Sequence, residues 1–95
     1  MMDIYYTELF DYYGELFTDK QKEYFIDYCF NNLTLQEIAE NNNISRNAVH
    51  KTITELKEKL DYYESKLHLH ENGKKIESII SNLDDDIKKR IEELI

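Results

Sequence analysis

The stretch from Thr34 to Leu56, TLQEIAENNNISRNAVHKTITEL, constrains the fold more than any other, because it carries two helix starts with an asparagine-rich turn between them. Thr34 followed three residues later by Glu37 is a capping box. The threonine oxygen can accept from an orphan first-turn amide while the glutamate reaches back to the cap amide. A helix is therefore expected from about Leu35, with Leu35, Ile38 and Ala39 on one face and the small Ala39 where a crossing helix has to come close. Asn41, Asn42 and Asn43 end it, since asparagine competes for backbone hydrogen bonds and tolerates the left-handed conformation of a sharp turn. Asn43 stands where glycine is the commonest choice. Ser45 is expected to cap the second helix, Ile44 to tuck into the angle between the two, and Val49 and Ile53 to carry the second helix's apolar stripe.

Around this stretch the chain has no proline and only two glycines, Gly14 and Gly73. Strands joined by hairpins need many turn residues, so the fold class is all-α, and 95 residues suit one small helical domain over 1–95, with the helix-turn-helix at about 34–56 and a helical extension at about 73–95. The longest apolar stretches are a few residues and the amino end begins Met-Met-Asp without a basic and apolar leader, which predicts no membrane insertion and a cytoplasmic protein. The one cysteine, Cys29, cannot form an internal disulfide and lies among aromatic residues, as a buried structural thiol does.

The net charge of −8 is uneven. Residues 1–33 carry seven acids and two bases, 34–60 four and four, and 61–95 nine and six, which gives −5, 0 and −3. Tight, sequence-independent binding to a phosphate backbone is disfavoured by such a field, because that affinity comes mainly from lysine and arginine displacing counterions. The helix-turn-helix is the least acidic third.

From Asp3 to Phe17, apolar and aromatic residues cover most of a helix surface, leaving Glu8, Asp11 and Glu15 on one narrow wet face. Such a helix needs cover on two sides, either as core within the chain or as a self-association face where tyrosine is enriched. Thr18 with Gln21 is a second capping box and starts a helix to about Phe30, with Tyr24, Phe25, Tyr28 and Cys29 on its buried face and Asn31 and Asn32 as its stop. The helix begun at Ser45 reads as continuing to about Glu71. Val49, Ile53, Leu56, Leu60, Tyr63, Leu67 and His70 recur at spacings of 4, 3, 4, 3, 4 and 3, a heptad seam. That seam packs either on the chain's own carboxyl-terminal helices or between two subunits, and together with the apolar first helix it points to a homodimer. Asn72 and Gly73 are expected to end the long helix. Ile76, Ile79 and Ile80 follow, and Asn82 with Asp85 is expected to cap a last helix bearing Leu83, Ile87, Ile91, Leu94 and Ile95 that folds back on the long one. Its acids come first and Lys88, Lys89 and Arg90 later, in the order the helix dipole favours.

Chemistry-bearing motifs are scarce. There is no phosphate loop, no Gly-rich dinucleotide turn and no HExxH pair. His68 and His70, two apart on a helix, point to different faces, and no Cys or His pair completes a zinc site. The acidic triplet Asp84-Asp85-Asp86 reads as a capped helix start, because consecutive acids do not converge on one ion. Nothing sets a nucleophile beside a base. No enzyme activity, cofactor or metal is expected.

Thr18 to Leu60 resembles region four of bacterial sigma factors, in T-x-x-Q, then LTLQEIAE, then ISRNAV. More closely, the chain from roughly Tyr5 to Leu69 resembles the YlxM family of small Firmicute and Mollicute proteins. It shares with them the aromatic first helix, Thr18-Asp19-Lys20-Gln21-Lys22, the I-A-E and I-S-R-x-A-V blocks, and Tyr63-Glu64-Ser65-Lys66-Leu67. The resemblance implies an all-helical, sigma-region-four-like fold and a gene neighbourhood with the signal recognition particle GTPases, hence a regulatory role in that pathway, with its GTPases or its RNA as partners. The alternative is a DNA-binding transcriptional regulator with the Ser45 helix in the major groove. If the ligand is a nucleic acid, the outward positions that would meet it are Arg46, Asn47, His50 and Lys51, with Thr54 one turn on, since arginine can read guanine and asparagine adenine. The same five residues also suit a plain solvated helix face, and the fold alone does not fix a ligand.

Overall fold

The computed structural model describes residues 4–94. Among them are six α-helices: α1 (Ile4–Tyr13), α2 (Asp19–Cys29), α3 (Leu35–Asn42), α4 (Arg46–Leu67), α5 (Leu69–Ile80) and α6 (Asp85–Glu92), with a 3-10 turn over Gly14–Leu16 after α1. No strand occurs among the described residues, as the turn-poor sequence predicts.

The local signals act where the residues place them. Both capping boxes close. Thr18 Oγ1 accepts from the Gln21 amide at 3.2 Å while Gln21 Oε1 accepts from the Thr18 amide at 2.9 Å. At Thr34 the corresponding bonds to Glu37 are 3.1 and 3.0 Å. Ser45 Oγ accepts from the Ala48 amide at 3.0 Å. Asn32 and Asn43 both take the left-handed conformation, with φ of 55° and 54°, and the Ile44 amide donates back to the Ala39 carbonyl at 3.1 Å, so the turn between α3 and α4 closes on α3's last carbonyls. Ile44 itself stays 37% exposed, so it is not part of the buried core at the interhelical angle. Ile38, Ala39, Val49 and Ile53 fill it instead.

Two apolar clusters make the core, and α4 contributes to both. Val49 and Ile53 meet Ile38 and Ala39, with Tyr24, Tyr28, Leu33 and Leu35 at the edge. One turn on, Leu56 and Leu60 meet Leu9, Tyr13, Phe17, Phe25 and Cys29. Tyr28 packs against both clusters. Phe10 stacks on Phe25 with centroids 5.1 Å apart. Cys29 is fully buried.

Several expectations are corrected. The first helix ends at Tyr13 because Gly14 lies under the Phe10 ring, where an added Cβ would come within 2.9 Å, and the chain tightens there into the 3-10 turn. Asp3 lies outside the described residues. The cover that α1 needs comes from α4 and α5 of the same chain, which leaves Ile4, Tyr5 and Tyr12 as its exposed apolar residues. The long helix stops at Leu67, four residues early, where His68 adopts φ 55°. Asn72 and Gly73 therefore lie inside α5, and Gly73, with no positive φ, marks a close approach: a Cβ there would meet the Tyr12 hydroxyl at 2.6 Å. The heptad seam is accordingly shorter, with Val49, Ile53, Leu56 and Leu60 buried, Tyr63 half-buried, Leu67 52% exposed and His70 on α5. It packs on α1, α2 and α3 and not on the carboxyl-terminal helices. Asp84, not Asn82, caps α6, accepting from the Asp86 amide at 2.9 Å. That last helix packs chiefly on α5 rather than on α4, and none of its residues is buried. Ile95 lies outside the described residues.

Two substitutions separate a helix stop from a close approach. A non-glycine residue in the left-handed conformation costs about 1–2 kcal/mol, so His68→Gly is expected to hold or raise the urea midpoint. Gly73→Ala is expected to change it little, because about 1 kcal/mol of helix propensity offsets the displacement of the half-exposed Tyr12 tip. A large loss in Gly73→Ala with an unchanged Tyr12 environment would contradict this placement.

Candidate functional site

The first two turns of α4 are set by three local features: the Asn43 turn, the Ser45 cap and the inward Val49 and Ile53. With those two side chains in the core, the helical period turns their neighbours outward. Arg46, Asn47, His50, Lys51 and Thr54 are all exposed, and all five fall within one arc of about 140° on an ideal helix. The structure thus brings the five sequence-selected residues onto one face, clear of the core. Among the described residues neither Arg46 nor Lys51 has an ion-pair partner.

Farther along, the same side of α4 turns acidic with Glu55, Glu58 and Asp61, all exposed. Asp61 accepts from the Tyr6 hydroxyl at 2.8 Å. Lys57 lies over the Tyr6 and Tyr28 rings, at 5.2 and 5.1 Å from their centroids, so its charge is held toward α1 and α2. The cationic part of the face is confined to the start of the helix. Lys20 Nζ donates to Asn42 Oδ1 at 2.8 Å and ties α2 to the end of α3, bracing the turn from behind.

A second constellation, not found from the sequence, holds the joint between α4 and α5. Glu64 Oε1 accepts from the Tyr13 hydroxyl at 2.6 Å and from the His70 amide at 3.1 Å, and Glu64 Oε2 accepts from the Glu71 amide at 3.0 Å. The Leu69 amide donates to the Tyr13 hydroxyl at 3.1 Å. The first amides of α5 are therefore satisfied by a carboxylate on the preceding helix and a phenol on α1, while His68 makes no side-chain cap. Across the joint Glu8 pairs with His70 Nε2 and, at 3.6 Å, with Lys74. These groups line an open groove between α1 and α5 with Asp11, Tyr12, Gly73 and Glu77. Nothing local in the sequence marks Tyr13 as a cap, because its partners Glu64 and Leu69 stand more than fifty residues away, and Glu64 reaches six and seven residues on, beyond the three-residue spacing of a capping box.

The joint shifts its own titrations. Burial, reinforced by the hydrogen bond to Glu64, pushes the Tyr13 phenol up to about 12. Burial alone would raise the Glu64 carboxyl, but the bonds it accepts from Tyr13, Glu71 and His70 outweigh that and hold it below the ordinary carboxylate range. The bond to His70 lowers Glu8 likewise, with help from Lys74. One ligand atom each from Glu64, His68 and Glu71 lie within 4.8 Å of one another, a set that could hold a metal ion. Those atoms already have protein work: Glu64 accepts three hydrogen bonds, and Glu71 pairs with His68 at 3.0 Å and Lys75 at 3.2 Å. The two histidines do point apart, His68 to Glu71 and His70 to Glu8. No described helix is long and apolar enough to cross a membrane.

The fold and the exposed second helix define a helix-turn-helix protein. A family model described as "Putative helix-turn-helix protein, YlxM / p13 like" matches residues 2–95, and the chain belongs to that UPF0122 family. It is 54% identical over 59 residues to a UPF0122 protein of Malacoplasma penetrans (strain HF-2), across 62% of this chain and 55% of that protein, so it spans a little over half of that relative's length. It is 42% identical over 89 residues to one of Thermoanaerobacter sp. (strain X514), across 94% of this chain and 73% of the relative. With one of Fusobacterium nucleatum it shares 39% identity over 90 residues, across 94% and 87%.

The joint predicts an acid sensitivity whose sign is fixed. Glu8 and Glu64 have folded pKa values below the ordinary 4.5, so their contribution is present above that value and is lost as pH falls through the lowered folded values. Protection factors of the α5 amides, which correct for the intrinsic slowing of exchange in acid, are expected to fall as pH drops below 4.5 before those of α4 do. Glu64→Ala, which strips three acceptor contacts, is expected to produce the same loosening at neutral pH, at a cost of about 1–2 kcal/mol. Equal protection of α5 at both pH values would contradict this.

Proposed function

We propose that the protein is a non-enzymatic regulatory or accessory protein of the signal recognition particle pathway, engaging that pathway's RNA or GTPases through the exposed face at the start of α4. The observation that carries this reading is the convergence of Arg46, Asn47, His50, Lys51 and Thr54 on one solvent-facing arc of a helix-turn-helix. Family membership supports the class of protein, and the resemblance set out above suggests the pathway. The face lies in the electrically neutral third of an otherwise acidic chain, so an anionic partner meets the least repulsion there.

A second reading, a transcriptional regulator that lays α4 in the major groove, is favoured by one feature. Arg46 and Asn47 occupy the first turn of the second helix, where groove-reading side chains of such folds stand.

Titration separates the two. Binding is measured to the pathway RNA, to the purified GTPases with their hydrolysis followed, and to a random duplex pool at several salt concentrations. The first reading expects RNA binding or altered GTPase activity, lost in Arg46→Ala. Selection of a duplex sequence that disappears in Arg46→Ala and Asn47→Ala, without effect on the GTPases, would sink it. Indifference to every nucleic acid would sink the second. Where Arg46 reads a base its loss is expected to cost about 1–3 kcal/mol, while Lys51→Ala, if it meets a phosphate, lowers the salt slope by about 1.

A further inference from the structure

We infer that α6 is the docking surface for a second copy of this chain, in an antiparallel pair centred on Ile87. This goes beyond the proposed function and does not rest on it.

The helix is short of cover. It buries no residue of its own, and an eight-residue helix does not hold in water without tertiary packing. On one side it leans on α5, where Lys88 is half-buried near Glu77 and Ile80 and pairs with Glu92 at 4.0 Å. The adjoining side is apolar and open: Leu83 is 40% exposed, Ile87 50% and Leu94 85%. Within α6, Ile87 and Ile91 form one stripe, with Leu83 just ahead of the Asp84 cap, and Asp86 and Arg90 flank the stripe on the side away from Lys88.

What names the occupant is the charge order about Ile87. Asp84, Asp85 and Asp86 precede it and Lys88, Lys89 and Arg90 follow, so reversing the segment inverts every sign. Ile87, 50% exposed at the centre of that order, reverses onto itself. A two-fold interface requires such self-complementarity, since the same patch is used on both sides. In an antiparallel pair with the axis at Ile87, Ile87 meets the partner's Ile87, and the open-flank Arg90 meets the partner's Asp86, twice by symmetry. A parallel pair would set acids beside acids. Among the described residues neither Asp86 nor Arg90 has an ion-pair partner within the chain, so both are available. A partner of a single charge sign would meet repulsion at one end of the helix.

Sedimentation equilibrium of the full chain tests the surface. The wild type is expected to show a concentration-dependent dimer. Ile87→Asp and Arg90→Asp are each expected to raise its dissociation constant about tenfold or more. The double variant Asp86→Arg with Arg90→Asp restores the pair with its signs exchanged and is expected to recover the dimer, a result that misfolding of α6 cannot mimic. The orientation is read by disulfide capture. Ile87→Cys cross-links to its own copy and Ile91→Cys alone does not, with buried Cys29 as the internal control. A wild type that stays monomeric to submillimolar concentration, a dimer indifferent to Ile87→Asp and the charge changes, or self-linkage of Ile91→Cys would each overturn the proposal.

Discussion

One apolar stripe holds this protein together: Val49, Ile53, Leu56 and Leu60, all on α4 and all buried. Three separate helices, α1, α2 and α3, all pack on it. Side chains of this size contribute roughly 1.5–3 kcal/mol each when fully buried, so the four together outweigh the capping and ionic contacts at any one position. The arrangement also fixes what is left outside. Because the inward residues keep one register over about three turns, the outward residues at the start of α4 are presented on a helix and not on a loop.

Much of the architecture was legible because it is written in short-range chemistry. Thr18 with Gln21, Thr34 with Glu37, and Ser45 each satisfy amides within three residues, so sequence spacing alone locates three helix starts. Asn32 and Asn43 declare two stops by the same local logic. The exposed set from Arg46 to Thr54 follows from knowing which residues of α4 face inward. Local spacing carries no signal where distant residues decide. A chain that contains Gly73 five positions after His68 invites a stop at the glycine, yet the break comes at the histidine because Glu64 and Tyr13 wait there as acceptors. Gly73 serves the approach of Tyr12 instead. Neither fact has a local signature. The break also cut the heptad seam, whose last two members no longer lie on its line of burial.

The two ends of α4 are consequently held by different forces. At its start, apolar packing against Ile38 and Ala39 carries the geometry and is indifferent to pH. At its far end, α5 buries only Gly73 and Ile80 and is tied on through Tyr13, Glu64, Glu8 and His70. Polar ties of this kind contribute about 1 kcal/mol apiece, against several for the apolar stripe. The α5–α6 arm is thus the part of the molecule that opens first, and its opening leaves the helix-turn-helix core in place.

Charge sets the terms on which the exposed face can work. It offers two permanent cations, Arg46 and Lys51, within a chain of net charge −8. Neutralising two phosphates releases only about two counterions, so a single copy gains little of the sequence-independent affinity on which most nucleic-acid binders rely. Discrimination then has to come from shape and from hydrogen bonds made by the few side chains on that arc. A particle carrying two such faces changes the balance without adding a cation to either, because the second contact becomes intramolecular and its effective concentration is set by the connection between them. Weak faces on a paired arm and a strong face on a lone chain are alternative physical solutions. If α6 pairs as proposed, the first is the solution that suits a chain of this acidity.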